Sequence, residues 1–180
     1  GAPDAFPEAL NVWFMDGDGS LGVGPSPGST DWWSAVAADR PCYFDDRYIF
    51  ESDGTFRNEL DDETFVEAWQ GGADACAAPV APHDGSASAT YTFDESAGTL
   101  TIEGRGAYIG LPKAVNGQEL SSLADTPDSI TYQVLESSDD YLAVTVESGT
   151  GVWWTFRLRR GQTDASYGDG MSVDAFPNDA

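Results

Sequence analysis

The sequence predicts an all-β fold, either an antiparallel meandering β-barrel or a β-sandwich with long N-terminal loops. Three segments within residues 129–160 alternate apolar and polar side chains with a period of two, as strands with one buried face do. The connections at 137–140 and 148–151 are short, polar and rich in turn-forming residues, which indicates antiparallel hairpins. Mostly sequential hairpins favour the meandering barrel.

Two more hairpins are predicted upstream. The first turns at Asp53-Gly54 between aromatic runs, a dipeptide typical of tight β-turns, and the second turns at residues 94–98. Their strands, and a glycine-interrupted strand that follows, span 43–51, 55–59, 89–93, 99–103 and 104–111. The total is about eight to ten short strands with little helix.

Three other stretches are less regular. Residues 1–31 carry many glycines and prolines, which predicts a long surface loop. Residues 31–36 predict a single helical turn with Asp31 as its N-cap. Residues 63–70 fit either a strand or one or two helical turns.

We expect one domain across residues 1–180, with its core at about 10–160 and a C-terminal tail or linker at 161–180. The tetrapeptide Asp-Ala-Phe-Pro occurs at 4–7 and again at 174–177. The repeated tetrapeptide is the basis for a hypothesis that this chain is one domain of a longer protein with neighbouring domains.

The chain is strongly acidic, with 31 aspartates and glutamates against 8 lysines and arginines and a formal net charge of −23 at pH 7. Such a field repels phosphate backbones, which argues against nucleic acid as a partner, and it disfavours strongly anionic polysaccharides. No apolar run is long enough to span a bilayer, so membrane insertion is not expected.

Cys42 and Cys76 are the two cysteines of the chain. Each lies beside turn-prone sequence, where a disulfide would fix long loops, so we expect a bridge; two buried free thiols are the alternative. A disulfide indicates an oxidising compartment, which predicts a secreted or cell-surface location. With only one histidine, the chain lacks the ligands of a Cys/His zinc site.

Three segments resemble secreted lipocalin-like or carbohydrate-binding β-modules of bacteria. They are Tyr-Ile-Phe-Glu-Ser-Asp-Gly-Thr-Phe at 48–56, Gly-Thr-Leu-Thr-Ile at 98–102 and Trp-Thr-Phe-Arg-Leu at 154–158. The resemblance covers about residues 43–160. It implies an antiparallel barrel that serves as a non-catalytic part of surface or secreted proteins, including polysaccharide-degrading ones, and it assigns no binding residue.

Aromatic residues are the main indication of function. Six tryptophans, seven tyrosines and nine phenylalanines exceed what a small β core normally uses. Exposed flat rings can stack on the CH faces of sugars, while polar side chains bind hydroxyl groups. If Trp154 points inward, the alternation places Trp153 outside. The predicted glycan-binding residues are Trp32, Trp33, Trp69, Trp153, Lys113 and Asn116.

Each of these residues also has a structural interpretation. Any single tryptophan can belong to the core, and Lys113, the one lysine, can be kept for an ion pair.

A cation site is a second candidate. Asp16 and Asp18, in Asp-Gly-Asp-Gly-Ser at 16–20, resemble the opening of a Ca²⁺ loop, with alternating oxygen ligands and glycines for a tight turn. Position 27 is Pro27 instead of the distal glutamate, which excludes an EF-hand and leaves a looser oxygen site. An acidic turn in an acidic chain is the competing interpretation.

No catalytic residue is predicted. His83 is the only histidine and stands beside Asp84, but no nucleophile-elbow sequence accompanies them. With 31 acids, a carboxylate pair at glycosidase spacing arises by chance.

The sequence therefore predicts a secreted, non-catalytic module that binds a neutral or weakly charged polysaccharide. A small glycoside hydrolase or polysaccharide lyase is one alternative, using carboxylates or His83 with a tyrosine. A structural or adhesive domain of a tandem array, stiffened by Ca²⁺, is the other.

Overall fold

The computed structural model describes residues 11–161, in which eight antiparallel strands close into a barrel. The strands in chain order are β1 (Asn11–Met15), β2 (Leu21–Gly24), β3 (Trp33–Ser34), β4 (Arg47–Phe50), β5 (Thr55–Glu59), β6 (Thr64–Val66), β7 (Ala75–Ala77), β8 (Ala89–Asp94), β9 (Thr99–Glu103), β10 (Ala114–Val115), β11 (Gln118–Glu119), β12 (Ser129–Ser137), β13 (Tyr141–Glu147) and β14 (Trp153–Gly161). Over the same described range, helical structure is limited to α1 (Pro41–Phe44) and the 3-10 turns η1 (Ala37–Asp39), η2 (Ala68–Gln70) and η3 (Leu123–Asp125).

The barrel confirms the meandering topology that the sequential hairpins predict. Its strand order is β1-β4-β5-β8-β9-β12-β13-β14, and β14 pairs with β1 to close the ring. The nine-residue β14 pairs with β13 along one edge. Its other edge is shared, because β1 pairs with the C-terminal half of β14 and β2 with the N-terminal half. The short β3 extends the sheet beyond β2.

The three long connections of the barrel all lie at one end. Successive strands of a meander run in opposite directions, so every second connection falls at the same end. Residues 16–46, 60–88 and 104–128 follow β1, β5 and β9, which are parallel to one another, and residues 148–152 follow β13. We call this the loop end. The connections at the opposite end are short hairpins.

The third connection fills the barrel interior. Residues 106–112 are all buried, and Gly110 packs against the ring of Phe156, an inward side chain of β14. Buried backbone needs hydrogen-bond partners, and here side chains of the barrel wall supply them. The Asn58 amide donates to the Tyr108 carbonyl at 2.8 Å and accepts from the Tyr108 N–H at 3.2 Å.

Three buried tyrosine hydroxyls complete this network. The Ile109 N–H donates to the Tyr132 hydroxyl at 2.8 Å, and that hydroxyl donates to the Ile109 carbonyl at 3.3 Å. The hydroxyls of Tyr43 and Tyr48 both donate to the Gly110 carbonyl, at 2.9 and 3.5 Å. The segment is thus bound to α1, β4, β5 and β12 and acts as an internal plug; we call residues 106–112 the plug.

Four local predictions from the sequence are wrong. The loop predicted over residues 1–31 is interrupted by β1 and β2, because both segments pair with β14. The strand predicted at 43–51 begins only at Arg47, because Pro41–Phe44 form α1. Residues 31–36 contain the edge strand β3 and no helical turn, because pairing with β2 gives their backbone sheet partners. Residues 104–111 form no strand, because their backbone bonds to side chains of the barrel wall. Both proposed forms of residues 63–70 occur, first β6 and then η2.

The Asp-Ala-Phe-Pro copies at 4–7 and 174–177 lie outside the described residues, as does nearly all of the predicted tail. Within 11–161, no helix is long and apolar enough to cross a membrane.

The plug generates a stability prediction. Gly110 and Gly117 have nearly the same positive φ, 80° and 85°. An added Cβ at Gly110 would overlap the Phe156 ring, whereas one at Gly117 would meet nothing within 4 Å. We expect Gly117→Ala to lower the free energy of unfolding by about 1 kcal/mol through strain alone. We expect Gly110→Ala to lower it by about 2 to 4 kcal/mol, because overpacking is added. Urea unfolding checks both, and equal losses would contradict the plug's tight packing.

Candidate functional site

The loop end brings together side chains that are far apart in sequence. A disulfide between Cys42 and Cys76 joins the first long connection to the second, which confirms the predicted bridge. It fixes the segment around η1 and α1 against the β6–β7 hairpin, so side chains of both connections hold defined positions. The third connection and the start of β14 lie beside them.

Aromatic rings and cations alternate across this end. The guanidinium of Arg40 lies 4.0 Å from the centroid of the Phe65 ring and 5.1 Å from that of Trp33. Trp33 meets Trp154 edge to face, with ring centroids 6.2 Å apart, and the Lys113 ammonium lies 5.3 Å from the Trp154 centroid. Cations over aromatic faces are attracted by the ring quadrupole. We call these five residues the aromatic–cation band.

Two glutamates fix the lysine end of the band. The Lys113 ammonium lies 3.6 Å from a carboxylate oxygen of Glu67 and 3.8 Å from one of Glu119. The second oxygen of each carboxylate accepts an indole N–H, from Trp69 at 3.0 Å for Glu67 and from Trp154 at 2.8 Å for Glu119. This hydrogen-bonded chain sets the orientation of both indoles.

The most open part of the site is apolar. Trp32 is 56% exposed and Trp33 40%, and Val36, in the same connection, is 47% exposed. Most other large apolar side chains among the described residues are at least partly buried. The position of Trp33 is fixed by the pairing of β3 with β2 and by its contacts with Arg40 and Trp154. The surface is therefore hydrophobic, exposed and supported from beneath.

The predicted binding residues separate into two groups. Trp33, Trp69 and Lys113 converge at the loop end, and Trp32 precedes Trp33 in the same connection, where its backbone N–H donates to the Val23 carbonyl. Trp153 lies on the outer face of β14, opposite buried Trp154, and is half-buried. The loop before β3 lies across that outer face, where the Gly28 N–H donates to the Thr155 hydroxyl at 3.1 Å.

Asn116 has a structural partner. Its amide donates to the Thr131 carbonyl and accepts from the Thr131 N–H, both at 2.8 Å. The N–H of neighbouring Gly117 donates to the Glu147 carbonyl at 2.9 Å. The turn between β10 and β11 therefore bridges β12 and β13 near the loop end.

Asp16 and Asp18 also have protein partners. Asp16 accepts from the Arg159 guanidinium at 2.7 Å, and Asp18 accepts from the Ala37 N–H at 2.7 Å. Among residues 11–161, no group of three or more His, Cys, Asp or Glu side chains could hold a metal ion. Calcium at this loop stays a prediction, and a calcium-dependent rise in melting temperature over that in chelator would support it.

His83 lies beneath the site. It is 2% exposed and packs edge to face between Trp69 and Tyr108, with centroid distances of 5.7 and 6.0 Å. Burial, with a smaller contribution from the Arg105 charge, lowers the pKa of His83 to about 4. The carboxylate of Asp84 accepts from the Ser86 hydroxyl at 2.6 Å. His83 therefore belongs to the packing under Trp69.

Sequence reasoning missed several members of the site. They are Arg40, Phe65, Glu67, Glu119 and Trp154. The alternation places Trp154 on the inner face of its strand, which is where it lies, at 5% exposure. Its indole still reaches the site because Trp154 stands at the loop end of β14. For the glutamates no signal separates them from the other acids of the chain.

The fold and the site together define a broad class of protein. It is an antiparallel barrel with a filled interior and an aromatic, charged surface at one end. Neither the protein-family models nor the curated proteins contain a match to this chain. Function is therefore argued from the site itself.

His83 generates a pH prediction. Its folded pKa of about 4 lies below the ordinary value of 6.5, so the neutral ring stabilises the fold fully above pH 6.5 and that stability is lost as pH falls towards 4. Between pH 7 and pH 4.5, the wild type should lose about 2 kcal/mol more unfolding free energy than His83→Phe, which keeps an aromatic ring but cannot titrate. Urea unfolding at both pH values measures this. Parallel losses in the two proteins would show that His83 is not buried as a neutral ring.

Proposed function

We propose that this chain is a non-catalytic carbohydrate-binding module that holds a polysaccharide against the exposed tryptophans of the loop end. The observation that carries the proposal is the exposure of Trp32 and Trp33, of which Trp33 is held by its contacts with Trp154 and Arg40. Exposed indoles that are already oriented lose little freedom when a sugar ring stacks on them. Charged groups beside them supply hydrogen bonds to hydroxyls.

The filled interior supports an external site. The plug occupies the space in which a barrel of this size would hold a small molecule, and its backbone is bound to the wall. An extended chain of sugars, in contrast, needs a surface without end walls. Glu119 and Trp33 are both exposed enough to border such a surface.

The alternative of a hydrolase has one observation in its favour. Glu67 and Glu119 approach the same ammonium, at 3.6 and 3.8 Å, so they form a close carboxylate pair. Glycosidases need carboxylates in contrasting environments, one kept as an acid and one as a base or nucleophile. Here each glutamate has the same two kinds of partner, an ammonium and an indole N–H. We therefore assign the pair to holding the tryptophans.

Export from the cytoplasm is part of the proposal. The Cys42–Cys76 disulfide persists in oxidising compartments such as the extracellular space. A net charge of −23 keeps a module well hydrated while it is exposed to polymers and salts. Attachment to neighbouring domains would then place an enzyme or a cell surface close to the polysaccharide.

Removing Trp32 tests the proposed surface most directly. Trp32 is the most exposed large apolar side chain within residues 11–161, so Trp32→Ala should leave the melting temperature nearly unchanged. It should weaken glycan retention in affinity electrophoresis about tenfold, as expected when an interface loses a central aromatic contact. Neutral β-glucan, arabinoxylan and galactomannan form the first panel of ligands.

Leu135→Ala is the matched control, because Leu135 is 37% exposed on β12 and should leave retention intact. Trp153→Ala should have a smaller effect than Trp32→Ala. Retention that survives the loss of Trp32 but disappears with Trp153 would move the site to the outer face of β14. Release of oligosaccharides by the wild type would support the hydrolase instead.

A further inference from the structure

Arg40 stands apart among the basic residues of the chain. All eight lie within the described range, and five of them, Arg47, Arg57, Lys113, Arg157 and Arg159, form ion pairs with carboxylates. Arg105 and Arg160 donate to the backbone carbonyls of Leu123 and Asp139. No ion pair within residues 11–161 includes Arg40, although the chain has 31 acidic residues.

The surroundings of Arg40 leave a donor unused. Its guanidinium is in contact with the rings of Phe65 and Trp33, and its Nη1 atom is buried with no hydrogen-bond partner among the described residues. Cation–π contacts attract the charge but do not accept its N–H groups. Because Nη1 is closed to solvent, an incoming oxygen anion would meet the guanidinium on the side of this half-buried residue that stays open.

The partner of Arg40 must also fit the tryptophan surface. Arg40 contacts Trp33, which is 40% exposed, so a group bound to the guanidinium lies beside a sugar that stacks on the indoles. A guanidinium presents a planar fork of N–H donors that matches the two oxygens of a carboxylate. Lys113, at the other end of the band, is already held between Glu67 and Glu119.

We propose that the module recognises a polysaccharide that carries isolated uronic acids, with Arg40 binding the sugar carboxylate and Trp32 and Trp33 stacking on the neighbouring rings. The inference rests on the proposed glycan-binding function and narrows its substrate class. The chain's net charge of −23 repels a dense polyanion, whereas one carboxylate at the guanidinium gains a local partner. The surface therefore favours polysaccharides in which only a few of the sugars carry a carboxylate.

The test compares ligands that differ only in the carboxyl group. Glucuronoxylan and xanthan are each used in native form and after chemical reduction of the uronic acids to neutral sugars, in affinity electrophoresis with the full chain. We expect reduction to weaken retention of the wild type about tenfold, because a charge-assisted hydrogen bond is lost. Polygalacturonate, with a carboxylate on every sugar, should be retained less than the sparsely charged polymers.

Variants then locate the effect. Arg40→Gln should retain native and reduced polymers equally, and Arg105→Gln should behave as the wild type, since Arg105 is exposed and contacts the Leu123 carbonyl. If Arg40→Gln fails to fold, the comparison of ligands on the wild type still decides the question.

The outcomes separate the two proposals. Equal retention of native and reduced polymers by the wild type overturns the uronic acid inference and leaves glycan binding standing. Strongest retention of polygalacturonate overturns the preference for isolated charges. No retention of any neutral or acidic polymer overturns the proposed function and this inference with it.

Discussion

The fold depends on how the plug satisfies its backbone inside the barrel. An irregular segment in an apolar interior would leave several N–H and C=O groups without partners, and each would cost about 1 to 3 kcal/mol. Asn58, Tyr132, Tyr43 and Tyr48 supply those partners from four different elements of the wall. The barrel and the plug therefore stabilise each other, and the interior is occupied by the chain itself.

A filled interior and a meandering topology together determine where a ligand surface can form. The topology collects the three long connections at one end, and the disulfide links two of them. The aromatic–cation band draws its residues from all three connections and from the start of β14. Because these segments rest on the barrel and its plug, the rings of the band are held in place, as the proposed sugar-binding surface requires.

The charge distribution distinguishes this surface from the rest of the molecule. Along the barrel wall, arginines pair with nearby carboxylates, as Arg57 does with Glu51 and Arg159 with Asp16. At the loop end Arg40 lies against indole and phenyl rings instead, and Lys113 lies beside the Trp154 ring as well as between Glu67 and Glu119. A few cations placed this way create local attraction within a repulsive overall field, so selectivity can depend on single groups of a ligand.

The sequence by itself predicted the three C-terminal strands and the hairpins at Asp53-Gly54 and 94–98, because period-two alternation and turn residues are local signals, and it favoured the barrel and the disulfide. It also picked out Trp33, Trp69 and Lys113 by residue type. Only the tertiary structure decided that residues 104–111 enter the barrel, since their glycines and apolar side chains suit an exposed strand and a plug alike. Only the structure separated exposed Trp32 from half-buried Trp153, and only it set Glu67, Glu119 and Arg40 beside the indoles. Contacts such as Glu119 with Trp154 and Arg40 with Phe65 join distant parts of the chain, and no local pattern in the sequence encodes them.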